Sequence, residues 1–350
     1  MQIALTGATG FIGWHAAREL RTSGHRVRAL VRDADRGSAL LGPLGLGPDD
    51  LVVGDMGDPA AVGRLLDGCD GVLHSAAAVS VTDPKLGAAA FEANLDGVRL
   101  VIGGAHERGI ERIVYVSSSI VLFAPGAETT DQSAVNPGRT HYGRSKAACE
   151  RYVAELVATG APIGIAYPTG VVGPDDPGFS ESVKAYRGFL RTTIQSSGGN
   201  QMVDVRDLAV LLRRMLEEGT TGRVIAGGHY FDWDAFTQLI ERVSGATLSR
   251  LRAPGWVMRG AGRLFDTISS VSGRRFPISG EGMEIATRML PAVDSAAVGK
   301  LGVAWRPPEE TLADLFRWYL SQGKIPVRAI PRLVDPEGGV SRKTPEPNAT

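Results

Sequence analysis

The feature that most constrains this 350-residue chain is its opening, MQIALTGATGFIG, where Gly7, Gly10 and Gly13 recur at every third position. They sit between a short apolar run and a helical pattern, so the segment reads as strand, tight turn and helix. In such a unit the first glycine permits the turn, the second lets a ligand approach backbone, and the third lets the helix pack on the strand. The free amides at the helix N-terminus then favour an anion, above all a pyrophosphate. The spacing is G-x-x-G-x-x-G and not the G-x-G-x-x-G of the common dinucleotide fingerprint. A ligand-free structural turn is the competing reading of any lone glycine triplet. The strand–turn–helix context favours the dinucleotide.

The rest of the first half alternates apolar runs with helical patterns. QIALTG, HRVRALV, DLVVGD, DGVLHSA, ERIVYVSSS and PIGIAYP read as six strands. Between them lie HAARELRTSG, closed by Gly24, a long helical stretch from about Pro84 to Arg108, and YGRSKAACERYVAELVATG, ending at Gly160. Strands separated by helices pair in parallel through right-handed crossovers, which predicts a doubly wound α/β sheet with helices on both faces. After Pro168 the rhythm changes. VVGPDDPGFS and QSSGGNQ read as loops, VDVRDLAVLLRRMLEEG and GRVIAGG return to strand and helix, and DWDAFTQLIERVSG and ETLADLFRWYLSQG are amphipathic helices. The expected division is a dinucleotide-binding domain over 1–168, with 203–230 returning to it. A smaller substrate-binding region takes 169–202 and 231–325, and 326–350 forms a Pro-rich extended or mobile tail.

Composition removes several classes of function. Formal net charge is zero, so nothing supports binding to a phosphate backbone, and nucleic acid is not an expected partner. Cys69 and Cys149 are too far apart in sequence for a metal-ligand pair and too few for a disulfide framework. No HExxH pairs the histidines and no G-x-S-x-G surrounds a serine, so neither a metal site nor a hydrolase elbow is expected. The N-terminus lacks a basic leader region and is read as a strand, with a cytoplasmic location expected. No window approaches the roughly 18 apolar residues of a membrane span. The nearest segment, 253–271, is broken by Arg259, Arg263 and Asp266; it reads as a substrate-region helix, with shallow membrane contact the lesser alternative.

The end of the second strand discriminates between dinucleotides. A carboxylate there accepts from the ribose hydroxyls of NAD, whereas an arginine takes the 2′-phosphate of NADP. The sequence is ALVRDADR, with Arg32 first and Asp33 behind it. A guanidinium pairs bidentately with a phosphate, so NADP is favoured, NAD is left open, and Arg36 is a secondary contact. If Arg32 is only a solvated charge, Asp33 would bind instead.

HYGRSK sets Tyr142 and Lys146 four residues apart, on one face of a helix. A free phenol has a pKa near 10, too high for proton exchange at neutral pH. A neighbouring ammonium, with the oxidised nicotinamide's charge, favours the phenolate and makes the tyrosine a usable general acid or base. The pair follows a strand ending in Ser117–Ser118–Ser119 and precedes AYPTGVVGP.

Taken together, TGATGFIG with Thr6, the serine-ended strand, HYGRSK and AYPTGVVGP resemble the extended short-chain dehydrogenase/reductase family. VRALVRD is similar to its dihydroflavonol-reductase-like and hydroxysteroid-dehydrogenase-like branches. The resemblance spans roughly residues 1–325, with specific motifs to about 210. It implies a Rossmann sheet in which Thr6, Phe11 and Ile12 join the glycines around the dinucleotide, and Asp55 and Met56 meet the adenine. His74 through Ala77 match the family's small-residue stretch, with Ala76 and Ala77 beneath the cofactor and His74 structural. Pro168 and Thr169 flank the nicotinamide. Lys146 would hold the nicotinamide ribose, and Ser119 the substrate oxygen, with Ser117 and Ser118 as alternates. Asn94 matches a helix asparagine, as proton relay or as structural residue. Asp58 before Pro59 reads as a helix cap that competes with Asp55's assignment.

Two departures matter. Tyr167 stands where an arginine is common before Pro168, and no Asp-Glu pair follows Ser119, which counts against a sugar-nucleotide dehydratase. The favoured expectation is an NADP(H)-dependent oxidoreductase acting on a small-molecule carbonyl or alcohol, with a homodimer left open. An NAD-retaining sugar-nucleotide epimerase is the second reading. A non-catalytic dinucleotide-binding scaffold is the third, disfavoured because Tyr142 and Lys146 are both present.

Overall fold

The computed structural model describes residues 1–77, 84–137, 141–272 and 279–334; of residues 84–87, 141–142 and 270–272 it describes the backbone alone. In chain order the first elements are β1 (Gln2–Thr6), α1 (Phe11–Thr22), β2 (Arg26–Val31), α2 (Ala34–Leu41), β3 (Leu51–Val53), α3 (Pro59–Leu66), β4 (Gly71–His74) and α4 (Pro84–Val98). A π-turn, Arg99–Gly103, leads into α5 (Gly104–Glu107), β5 (Arg112–Val116), α6 (His141–Ala158), β6 (Ile163–Pro168), β7 (Gly170–Val172), α7 (Glu181–Phe189) and β8 (Thr192–Gln195). Then come β9 (Gly199–Asp204), α8 (Val205–Glu218), β10 (Gly222–Ala226), β11 (His229–Asp232), α9 (Trp233–Ser244) and β12 (Ser249–Arg252). The last are α10 (Gly255–Ser272), α11 (Gly280–Arg288), α12 (Ala296–Lys300) and α13 (Pro308–Ser321).

Seven strands form one parallel sheet in the order β3-β2-β1-β4-β5-β6-β10. Strands covered on both faces read as continuous apolar runs, not as alternation. Ile3, Ala4 and Leu5 of β1 and Val72 and Leu73 of β4 are accordingly fully buried. One core lies beneath α1 and α8, built on Ala17, Leu20, Leu208 and Leu212; the other lies beneath α3, α4 and α6, built on Leu65, Val98, Cys149 and Val153. The chain leaves β1 toward β2 on one side and returns to β4 on the other. That reversal opens a crevice beyond the carboxyl ends of β1 and β4.

The structure departs from the sequence reading in four places. The first helix starts at Phe11 because Gly10 is its N-cap, four residues before the expected helical run. The long fourth helix winds through the π-turn before ending at Glu107. Segments read as loops contribute strands: β7 pairs parallel with β9, and β9 pairs antiparallel with β11, while β8 pairs with β12. Gln201, early in β9, is held by its own amide, which donates to the Ala292 carbonyl at 2.8 Å and accepts from its N–H at 2.7 Å. Finally, the stretch from 326, expected as a free tail, packs back through residue 334, with Ile330 and Leu333 fully buried in the main core. The remainder of that tail lies outside the described residues.

Candidate active site

The glycine turn is shaped by three different demands. Gly7 has φ +78°, and a Cβ there would stand 2.7 Å from the Ala76 amide nitrogen, so neither the conformation nor the space admits a side chain. A Cβ on Gly13 would lie 2.0 Å from the Gly7 carbonyl oxygen, which fixes how closely α1 sits on the turn. Gly10 is different. A Cβ there would meet nothing nearer than the Gly7 oxygen at 3.3 Å. Packing therefore constrains Gly10 far less than Gly7 or Gly13, and a phosphate lying against the α1 N-terminus adds a reason for a glycine there. The residues present therefore fit a dinucleotide.

Around that turn the expected contacts divide into wall and clamp. Thr6 is fully buried, its hydroxyl 2.7 Å from His74 Nδ1, and its carbonyl accepts from the Ser75 hydroxyl at 2.8 Å. Thr6 thus ties the ends of β1 and β4 together. His74 stacks on Tyr115, and burial, aided by the Lys146 charge, pulls its pKa to about 3, so the ring stays neutral. The sequence reading of His74 as structural agrees with this placement. Phe11 is buried in the core beneath α1, Ile12 is half-buried beside it, and Ala76 and Ala77 are half-buried after β4.

At the end of β2, Arg32 is exposed. The Asp33 carboxylate is the N-cap of α2 and accepts from the Arg36 amide at 2.9 Å. Among the described residues neither the Arg32 nor the Arg36 guanidinium has a hydrogen-bond or ion-pair partner. Asp55 is exposed after β3 and turns on itself through the Gly57 amide, while Asp58 caps α3 ahead of Pro59, as its sequence predicts. Met56 packs where a Cβ on Gly97 of α4 would strike its sulfur.

The second group of residues gathers at the end of β5. Lys146 of α6 is 5% exposed; its Nζ donates to the Val116 carbonyl at 3.1 Å and stands 5.3 Å from the Tyr115 ring centroid. Tyr142 lies one turn earlier on the same helix, and its side chain is outside the described residues. The three serines separate by environment. Ser117 is buried, and the Ser118 hydroxyl accepts from the Ile120 amide at 3.4 Å; Ser118 and Ser119 both line the cleft. Asn94 is buried on α4 and donates to the Ser145 hydroxyl at 3.0 Å, next to Lys146 in sequence. Behind Lys146, the buried Glu150 carboxylate accepts from the Tyr167 hydroxyl at 2.8 Å, and burial raises its pKa from its ordinary value.

Ser118 and Ser119 open onto a cleft of about 270 Å³ walled by Phe123, Thr169, Asn200, Ile285 and Met289. Thr169 is fixed by its hydroxyl on the Gly227 carbonyl at 2.8 Å, and Pro168 ends β6 beside it. Asn200, Gln201, Ile285 and Met289 were not found from sequence. Asn200 and Gln201 sit in a strand that reads as loop, and nothing in the composition of α11 distinguishes a cleft wall from a core helix.

The sequence profile of the NAD dependent epimerase/dehydratase family matches residues 3–228. A putative dihydroflavonol 4-reductase of Synechocystis sp. is 27% identical over 332 residues, covering 92% of this chain and 95% of that protein. Two solved structures share the fold. One is a UDP-glucose 4-epimerase of Stenotrophomonas maltophila with bound NAD, with TM-score 0.70, 22% identity, and 93% and 99% of the two chains covered. The other is yeast methylglyoxal/isovaleraldehyde reductase complexed with NADPH, with TM-score 0.67, 18% identity, and 93% and 100% covered. The glycine turn, the seven-stranded parallel sheet and a match over well over half the chain lead to one conclusion: this protein belongs to the NAD dependent epimerase/dehydratase family, within the extended short-chain dehydrogenases/reductases.

Proposed function

We propose that the chain is an NADP(H)-dependent oxidoreductase that reduces a ketone or aldehyde, or oxidises the corresponding alcohol. One observation carries the reading: a buried ammonium, Lys146, bonded to the last carbonyl of β5, with Ser119 three residues further along the wall of an apolar cleft. When bound, the nicotinamide supplies or accepts the hydride. Gly7, Gly10, Gly13, Ala76 and Ala77 would border the dinucleotide, with Phe11 and Ile12 in the first turn of α1. Asp55 and Met56 would face the adenine, and Pro168 and Thr169 the nicotinamide.

Within the site the division of labour follows the chemistry of each group. The Ser119 hydroxyl donates to the carbonyl oxygen and shares the charge that develops on it. The Tyr142 phenol gives that oxygen its proton in reduction and takes it back in oxidation. The Lys146 charge favours the phenolate and so brings the phenol toward neutral-pH exchange. Asn94, through Ser145, acts as a positioning residue for the start of α6. NADP is preferred because the Asp33 carboxylate is occupied as a helix cap, which leaves the exposed Arg32 and Arg36 to a 2′-phosphate.

The test is a separate titration with NADPH and NADH, followed by a screen of apolar ketones and aldehydes with wild type and Tyr142→Phe. Tighter NADPH binding is expected, with turnover lost and binding kept in the variant. Equal or tighter NADH binding overturns the NADP assignment, and undiminished turnover removes Tyr142 as the acid. Protein that copurifies with NAD and shows no net cofactor turnover would favour the epimerase reading.

A further inference from the structure

The large apolar side chains exposed among the described residues are not evenly spread. Leu251 (54% exposed), Trp256 (72%), Val257 (39%), Leu264 (59%) and Ile268 (38%) fall within a stretch of eighteen residues, while the other four are single valines elsewhere. Helical spacing puts 256, 257, 260, 264, 267 and 268 on one face of α10. The opposite face is spent on the fold. Met258 is buried, and Gly262 lies so close to α11 that a Cβ would be 2.8 Å from the Ser279 carbonyl.

The rim of that apolar face is basic. Arg252 precedes the helix and Arg263 flanks the face, its side chain 69% exposed and its guanidinium 3.9 Å from the Glu284 carboxylate, whereas Arg259 turns to α11 and donates to the Thr287 hydroxyl at 2.9 Å. The nearby Asp266 carboxylate accepts from the Gly280 amide and so faces α11. No described helix is long and apolar enough to cross a membrane, so this one can only lie along a surface. The exposed apolar side chains supply on the order of a few hundred Å², the size of patch that marks an interaction site. An indole at one end, aliphatic side chains along the face and arginines at its edge match the headgroup–acyl boundary of an anionic bilayer.

We propose that α10 docks the protein on an anionic membrane surface, its axis in the plane, with Trp256, Val257, Leu264 and Ile268 in the lipid and Arg252 and Arg263 on the phosphates. The inference goes beyond the oxidoreductase reading and does not depend on it. Its consequence for the cleft is direct, because α11, packed on α10, supplies Ile285 to the cleft wall and is followed at once by Met289, another wall residue. Docking brings that wall within one helix breadth of the bilayer.

The experiment is sedimentation of the full chain with phosphatidylcholine vesicles, with and without phosphatidylglycerol and without cofactor. Binding to the anionic vesicles is expected, weakening with salt, and falling about tenfold in Trp256→Ser/Leu264→Ser, where exposed apolar groups are removed. Arg252→Gln/Arg263→Gln should weaken binding to anionic vesicles and leave the weak neutral-vesicle binding unchanged. Melting temperature and NADPH affinity, measured on both variants, should match wild type. Absence of vesicle binding, or binding unchanged in the apolar double variant, overturns the proposal. So does a dimer in sedimentation velocity that the same double variant dissociates, which would make a second copy the occupant of this face.

Discussion

Lys146 Nζ donates to the carbonyl of Val116 at 3.1 Å, joining α6 to the end of β5 at the point where the serine-rich turn begins. The ammonium is thereby fixed in position before any ligand arrives, so its electrostatic effect on a neighbouring phenol costs no reorganisation.

From this pairing, Lys146→Met should lower turnover by about 10²-fold or more, the usual range for losing acid–base assistance. The residual rate should rise with pH toward the phenol's ordinary pKa near 10. A pH–rate profile decides the matter: a flat residual profile would show that the ammonium does not govern the phenol.

The glycines of the N-terminal turn should separate by role. Gly13→Ala places a methyl 2.0 Å from a backbone oxygen and should cost more than about 3 kcal/mol in stability. Gly10→Ala meets nothing closer than 3.3 Å, so the fold should survive within about 1 kcal/mol while NADPH affinity falls. Thermal melts and a titration on both variants suffice, and a Gly10→Ala protein that binds NADPH normally would remove the pyrophosphate from that position.

Arg32→Ser should weaken NADPH binding by roughly 10–100-fold and leave NADH binding unchanged, because a single charge-assisted phosphate contact is lost. Equal losses for both cofactors would mean that the arginine supports the fold of the β2–α2 turn and not the 2′-phosphate.

Stability should decline below pH 6.5. Burial holds His74 to about 3 and His15 to about 4, against an unfolded value of 6.5. As pH falls, the unfolded chain takes up protons that the folded one refuses, so unfolding free energy drops by about 1.4 kcal/mol per pH unit for each histidine. Glu150, with its raised pKa, acts in the opposite direction, its contribution being lost as pH rises above 4.5. The urea midpoint should fall between pH 7 and pH 5, and His15→Gln should flatten the slope. A midpoint that is equal or higher at pH 5 contradicts this.

Glu150 sits beneath the site with its carboxylate on the Tyr167 hydroxyl. Glu150→Gln keeps an acceptor and removes the buried charge, so it should change stability by less than about 1 kcal/mol at pH 7. Glu150→Leu strands the phenol and should cost about 1–3 kcal/mol. Equal effects in denaturant titrations would show that the hydrogen bond carries no weight.

The parallel sheet was legible because strands buried on both faces leave unbroken apolar runs, as in IALT and IVYV, and because the glycines mark the first crossover. The caps Asp33 and Asp58 follow local rules of side chain and backbone. What sequence could not supply were pairings set by distant partners. Gly199 to Gln201 carry no strand signal of their own and become one because Tyr230 to Asp232 of β11 pair with them, while the Gln201 side chain clasps Ala292, ninety-one residues away. Likewise Ile330 and Leu333 stand among prolines and charges, and only the core they fill identifies them as anchors.

The crossing and recrossing of the chain bears on how this protein can be rebuilt. Its main core runs without a break from Ile3 and Leu20 through Leu208 and Leu212 to Phe236 and Tyr319. A fragment cut after Pro168 would keep the glycine turn and Lys146, yet it would bare the α1 surface that α8 covers and lose the edge strand β10. Chimeras meant to transplant the cleft should therefore exchange 170–202 and 229–334 as a pair, leaving 203–226 native, since either insert alone would leave β9 or β11 without its mate.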